Sequence, residues 1–301
     1  MSTSTGIVAA AADQPTPTVA TGGARSILRR FARHRLALLG TVVLLGLMVA
    51  CYGAIWIAPS PQGAQDLVLG PTPPSGAHLL GTDDLGRDFL SELLFAGRIS
   101  LTIGLVVALI ATTVGTVLGA VAGYAGGWVD EVIMRITDLF LIVPGIAVLA
   151  LALRGLGSSP TTIVLVLAAL GWTYIARVVR SQVLSLREKE FVDAARVIGA
   201  STPRILLRHL LPNLAGVIAV NISLATAAAI IIESTLSFLG FGVQPPRTSW
   251  GNMLSQAAGL VGTDQVYLLY FPGLFILLTV LSINFIGDGL RDALDPQAKQ
   301  L

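Results

Sequence analysis

Six predominantly apolar stretches of this chain, each fifteen residues or more without one Asp, Glu, Lys or Arg, are the candidates for membrane spans, and nothing else in the sequence limits the fold so strongly. They are 36–65, 99–129, 139–153, 155–176, 209–232 and 265–287. A bilayer core of about 30 Å takes roughly 20 helical residues, because hydrocarbon offers no partner to an unpaired backbone group. Five of the runs are long enough alone. The third is too short, so its helix is expected to start near Val132, which places Arg135 and Asp138 in its first turns. Three residues apart, these two share a helix face and are expected to neutralise one another. Composition agrees: 54% of residues are hydrophobic and 12% charged, whereas a soluble domain carries about 25% charged residues. The single cysteine, Cys51, cannot pair within the chain, and in an apolar run it reads as a small packing residue.

The basic residues give a direction. With a cytoplasmic N-terminus, fifteen of the 19 Lys and Arg residues fall on the cytoplasmic side, leaving Arg87, Arg98, Arg154 and Arg247. Six spans with both ends in the cytoplasm is the expectation. The basic residues then act as topology determinants and contacts for anionic lipid headgroups, and nucleic acid is not an expected partner. Residues 1–24 read as a disordered cytoplasmic tail. The unit 25–96 holds an amphipathic helix around Ser26–Arg35, with Ile27, Leu28 and Phe31 at helical spacing, then the first span and a Pro-rich external loop. A five-helix core follows at 97–291, and 292–301 reads as a cytoplasmic tail.

Several residues stand out. Gly115, Gly119 and Gly123 stand four apart and can let another helix approach closely, although glycine is common in membrane helices anyway. Pro144 and Pro272 each remove a backbone donor; such kinks suit helices lining a pathway and equally suit a packing irregularity. Glu233 is an intramembrane carboxylate that could line a pathway or meet the outer interface. Asp138, Pro144 and Glu233 are therefore the pathway or gating candidates.

The segment 187–213 is too polar to span and too long for a tight turn. Phe191, Ala194, Ala195 and Ile198 recur at three- and four-residue spacing and predict one apolar face. Gly199 is placed to stop that helix, Thr202 then reads as an N-cap with Pro203 at the first helical position, and Pro212 opens the next helix in the same way. The expected order is helix, break, short helix, break, span. A solvated loop would not need an amphipathic helix with a built stop, so the segment reads as a docking surface. No phosphate-cradling G-x-x-x-x-G-K-[ST], metal-ligand cluster or Ser/His/Asp set is present, so no catalytic residue, metal or cofactor is expected in this chain.

The run Phe191-Val192-Asp193-Ala194-Ala195-Arg196-Val197-Ile198-Gly199, followed by His209-Leu210-Leu211-Pro212, resembles the cytoplasmic EAA loop of bacterial ABC importer permeases. That pattern is E-A-A, three residues, G, nine residues, then I-x-L-P; here Asp193 replaces Glu and His209 replaces Ile. Leu80-Gly81-Thr82-Asp83-Asp84-Leu85-Gly86-Arg87-Asp88 resembles an external motif of the second permease subunit of dipeptide, oligopeptide and nickel importers. Glu233–Gly242 running into Trp250–Leu254, and Gly287–Pro296, are similar to the fifth span and the C-terminal end of that subunit. The resemblance covers about 25–296.

It implies an all-α membrane protein of the type I importer permease fold: six transmembrane helices, an N-terminal amphipathic helix and a cytoplasmic coupling segment at about 187–211. Coupling to the ATPase would fall to Phe191, Asp193, Ala194, Ala195, Arg196, Gly199, Ser201, Arg204, Arg208, Leu211 and Pro212. Arg196, Arg204 and Arg208 could pair with acidic groups there or only hold the loop cytoplasmic. Gly81, Thr82, Asp83, Gly86, Arg87 and Asp88 carry the external motif. The implied partners are a homologous second permease, two ATPase subunits or one fused ATPase that bind ATP and Mg, and an extracytoplasmic binding protein, all at a bacterial cytoplasmic membrane. Peptides are the implied cargo, with nickel chelates, haem or another small solute as alternatives. An ion-coupled secondary transporter would need several intramembrane carboxylates or histidines and an inverted repeat. A membrane anchor or sensor would need a soluble signalling domain, for which no loop is long enough.

Overall fold

The longest helix sets the frame for the others. The computed structural model describes residues 24–142 and 144–294; most of both expected tails, residues 1–23 and 295–301, lies outside the described residues. In chain order the helices are α1 (Ala24–Phe31), α2 (Arg35–Tyr52), α3 (Ala54–Ile57), α4 (Phe89–Ala125), α5 (Gly127–Ile142), α6 (Gly145–Leu156), α7 (Pro160–Arg187), α8 (Glu190–Val197), α9 (Thr202–Ile205), α10 (Leu211–Phe238), α11 (Trp250–Ala257) and α12 (Tyr267–Leu294). Among the described residues there is no strand, only an isolated bridge between Thr82 and Asp88.

Helix α4 starts ten residues ahead of the charge-free run that predicts it. Asp88 is its N-cap, accepting from the Ser91 backbone N–H at 2.9 Å, and Glu92 in the first turn suits the positive end of the helix. At 37 residues it is about 56 Å long, well beyond the hydrocarbon thickness, so its first turns stand outside a bilayer. The glycine stripe lies against α7. A methyl carbon added at Gly119 would sit 2.4 Å from the Ala176 carbonyl oxygen; at Gly115 and Gly123 it would meet the Trp172 and Arg180 carbonyls at 2.7 and 2.8 Å. Close backbone packing is thus the reason for these glycines.

Among the described residues, five helices are long and apolar enough to cross a membrane: α2, α4, α7, α12 and the continuous stretch Thr202–Phe238. The third span differs from the expected straight helix. It is the pair α5 and α6, bent by 86° at a break that contains Pro144, the N-cap of α6, and it makes a sixth crossing only if the pair is one span. Proline has no N–H for the preceding turn and pushes the residue before it out of the helical region. The expected Arg135–Asp138 pair is also corrected: Asp138 is bonded to Arg177 of α7, and Asp130, one turn into α5, takes a two-pronged bond from Arg180. The better partner sits on the packed neighbour. Pro272, by contrast, is buried inside an unbroken α12.

Helix α1 turns back onto the C-terminal part of α12, where the Phe31 ring and the Ala37 methyl approach Gly289. Ile27 and Phe31 are half-buried while Leu28 is 68% exposed, so the predicted three-residue apolar face holds only in part. Helix α12 runs to Leu294, three residues into the expected C-terminal tail.

Candidate functional site

At the end of the bundle that carries α1, the segment between α7 and α10 forms a stiff projection. Helix α8 ends in two bonds of a Schellman stop: the Gly199 N–H reaches the Arg196 carbonyl at 2.9 Å and the Ala200 N–H the Ala195 carbonyl at 3.0 Å. Gly199 has φ +76°, where a side chain would be strained, and open space where that side chain would go. Thus the helix ends where the sequence places its end.

The fold divides the predicted apolar face. Val192 and Ala195 are the buried pair, packed with Val179, Val183, Ile205 and Leu210. Phe191, Ala194 and Ile198 of the predicted apolar face are exposed, as is Val197 at 87%. The rod therefore seats on its own bundle through a narrow strip of two residues and turns the larger apolar side chains outward. Arg196 donates to Asp193 at 2.9 Å and lies 5.7 Å from the centre of the Tyr124 ring. Both charged side chains are thus held on the rod's flank, tied to the end of α4. Arg187 fastens the approach by donating to the Gly123 carbonyl at 3.0 Å.

The second half of the segment is corrected twice. The N-cap of α9 is Ser201, one residue before the expected Thr202, and Pro203 falls at the second helical position. No break separates α9 from the span. A π-turn, Leu206–Leu210, joins α9 to α10, and the Leu211 N–H reaches back five residues to the Leu206 carbonyl. Pro212 explains the wider turn: it has no N–H to offer and its ring would press on the preceding turn. The Asn213 amide donates to the His209 carbonyl at 2.6 Å and fastens the turn at this point. Arg204 and Arg208 are exposed and make no ion pair among the described residues.

At the opposite end, the predicted external motif folds into a clasp. Gly81 and Gly86 reverse the chain at φ +81° and +67°. Asp83 accepts the Leu85 and Arg87 backbone N–H groups, each at 3.0 Å, and its other oxygen takes Arg87 Nε at 2.6 Å. Thr82 donates to the Gly70 carbonyl at 2.7 Å, and the Tyr267 phenol of α12 lies 2.7 Å from both the Thr72 and Thr82 carbonyls. His78 Nδ1 is 3.0 Å from Asp88 Oδ2. Burial alone would push the Asp88 carboxyl up; the His78 hydrogen bond, with the Ser91 backbone N–H and hydroxyl, overrides this and holds it below the usual carboxylate range. The motif thus builds a rigid loop over the start of α4.

The three pathway candidates do not come together. Asp138 is committed to Arg177, Pro144 sits at the α5–α6 bend, and Glu233 is fully buried. Inside the bundle Glu233 accepts from Ser237 at 2.7 Å and from Ser100 at 3.5 Å. The network continues through Ser249 to Ser237 at 3.2 Å and from the Trp250 N–H to Ser100 at 3.1 Å, and the Trp250 indole donates to the Leu93 carbonyl at 2.9 Å. A buried carboxylate is tolerable where several hydroxyls solvate it, and here it joins α4, α10 and α11. Sequence reasoning missed Ser100, Ser249 and Tyr267; only the Trp250 stretch carried a signal, as part of a motif without a role. It also missed a cavity of about 280 Å³ between α4, α7 and α10, where Tyr174 and Asn221 bring polar groups to a wall that includes Val107, Ala111 and Leu224.

Comparison with known proteins gives one consistent result. Residues 115–300 match the model of binding-protein-dependent transport system inner membrane components, and residues 24–74 match that of the N-terminal transmembrane domain of oligopeptide transport permease C. The chain is 40% identical over 272 residues to a dipeptide transport system permease protein of Bacillus subtilis, covering 90% of this chain and 85% of that one. It is 39% identical over 277 residues to an oligopeptide transport system permease protein of Mycobacterium tuberculosis, covering 91% and 95%. A putative peptide permease protein of Brucella suis is 39% identical over 281 residues, 93% of each chain.

Proposed function

Because the chain belongs to the family of binding-protein-dependent transport system inner membrane components, as a multi-pass permease of an ABC importer, we propose that it carries short peptides inward as one wall of a shared pathway. The observation that carries this reading is the α8 projection. A stopped, internally bonded helix is seated on α7 by Val192 and Ala195, tied to α4 through Arg196 and Tyr124, and presents Phe191, Val197 and Ile198 outward. A helix transmits displacement because its backbone hydrogen bonds keep it stiff, and exposed apolar side chains beside paired charges suit a groove on another protein.

In this reading both chain ends are cytoplasmic, and the clasp around 70–88 with α11 faces outward. ATP and Mg bind to partner ATPase subunits, separate or fused, whose groove receives α8. A second, homologous permease closes the pathway opposite α4, α7 and α10, and an extracytoplasmic binding protein delivers the cargo. ATPase closure moves α8 as a rigid body, and the bundle alternates between inward- and outward-open forms. Anionic lipid headgroups meet the arginines of α1.

Gly199→Arg and Ala195→Asp test the coupling role. The first lengthens a rod that must stop; the second puts a carboxylate among Val179, Val183 and Val192. Both should abolish uptake while the protein stays at its normal level in the membrane, and ATPase co-purification should fall. Unchanged uptake and co-purification in both would refute the role.

A further inference from the structure

The clasp faces the 244–268 stretch across a cavity of about 720 Å³ that has no part in the coupling just described. Its inner wall is apolar, with Phe89, Met253, Ala257 and Leu268 all buried. Its other wall carries Asp83, Asp84, Arg87 and Glu92. Arg87 is spent on Asp83, with Nε and Nη2 each 2.6 Å from the same carboxylate oxygen, so that pair is neutral. Asp84 has no ion pair or side-chain hydrogen bond among the described residues. Glu92 is the informative group. Its side chain is 6% exposed; Oε1 accepts the Gly63 N–H at 2.7 Å, and Oε2 makes no hydrogen bond among the described residues, only a long ion pair at 3.9 Å with Arg87 Nη1, which Asp83 already holds.

Three carboxylates, Asp83, Asp84 and Glu92, thus share the single cation Arg87, which leaves this wall with an excess of negative charge that a cationic ligand would offset. The volume lies within the roughly 300–1,000 Å³ of small-ligand pockets, which a flat protein contact does not need. An ammonium group supplies three donors and the missing positive charge, and the apolar wall needs an organic body behind it. A carboxylate end would meet repulsion. We propose that this cavity is an outer transit subsite that holds the amino end of a short peptide, with Glu92 and Asp84 on the ammonium and the Phe89–Met253 wall against the first side chain. The proposal rests on the peptide reading above and adds where, and by which end, a peptide is held.

The test uses the complete importer in proteoliposomes with its binding protein and trileucine whose first residue carries a diazirine. Irradiation during uptake should label Phe89, Met253 or Ala257. N-acetylation of the probe, or the pair Asp84→Asn and Glu92→Gln, should lower that labelling about tenfold, the effect of losing one ion pair. Normal trileucine uptake with no label on this wall would overturn the subsite and leave the peptide reading standing. Equal labelling by free and acetylated probes of the unaltered protein would overturn the amino-end assignment even if the variants fail to fold. Label bridging the wall to the binding protein would overturn it in favour of a docking pocket. No uptake of any peptide would sink the peptide reading itself, and the subsite with it.

Discussion

Asp88 shows how much one side chain can hold. It caps α4, accepts from Ser91 twice and meets His78, and its side chain is 1% exposed. Because its folded pKa lies below the unfolded one, its contribution is present above the unfolded value and is lost as pH falls through the folded value. Asp88→Asn should therefore lower the thermal midpoint of the purified protein at neutral pH. The gap to the unaltered chain should shrink as pH drops from about 5 toward 2, and a gap independent of pH would contradict the assignment. The sequence showed Asp88 only as part of a motif. Its partner His78 is ten residues away, and nothing in the spacing pairs them. Gly199 was legible because a positive φ is a local requirement that one residue type meets best. The face of α8 was not: period alone cannot distinguish side chains turned to one's own bundle from those kept for another protein, and Val192 yielded that information only once α7 was in place.

At the scale of elements, α4 and α7 make the most extensive helix–helix contact among the described residues. Gly119→Leu drives a side chain into the Ala176 carbonyl and should cost about 2 kcal/mol or more, read as a lower melting temperature in detergent. Gly46→Ala, with no atom within 4 Å, is the control and should be neutral or slightly stabilising. Trp250→Ala would empty the space between Leu93, Gly97 and Phe275 and should cost about 4 kcal/mol by the same assay. The five long spans were readable because twenty uncharged residues admit few other structures. The α5–α6 bend was only half readable: Pro144 marked a weak point, but an 86° angle depends on what lies beside it. The π-turn before Pro212 was hidden because proline near a helix start normally signals a beginning, whereas here a helix already precedes it.

For the whole molecule, the proposed orientation rests on where arginine is scattered, and it can be measured directly. Cys51 is fully buried and leaves a quiet background for labelling. Val68→Cys, on the most exposed part of the clasp loop, should react with a membrane-impermeant maleimide on intact cells, and Glu188→Cys only after permeabilisation. The reverse pattern would overturn the proposed orientation and the coupling role with it. One further consequence comes from the unbroken course of Thr202–Phe238. These 37 residues make a shaft of about 56 Å that begins beside α8 and ends at the Glu233–Trp250 knot. A tilt of about 5° at the near end sweeps the far end through about 5 Å, close to one helical turn. Under the proposed coupling, a small push on α8 would thereby be geared up, and the far end of the shaft would swing like the tip of an oar.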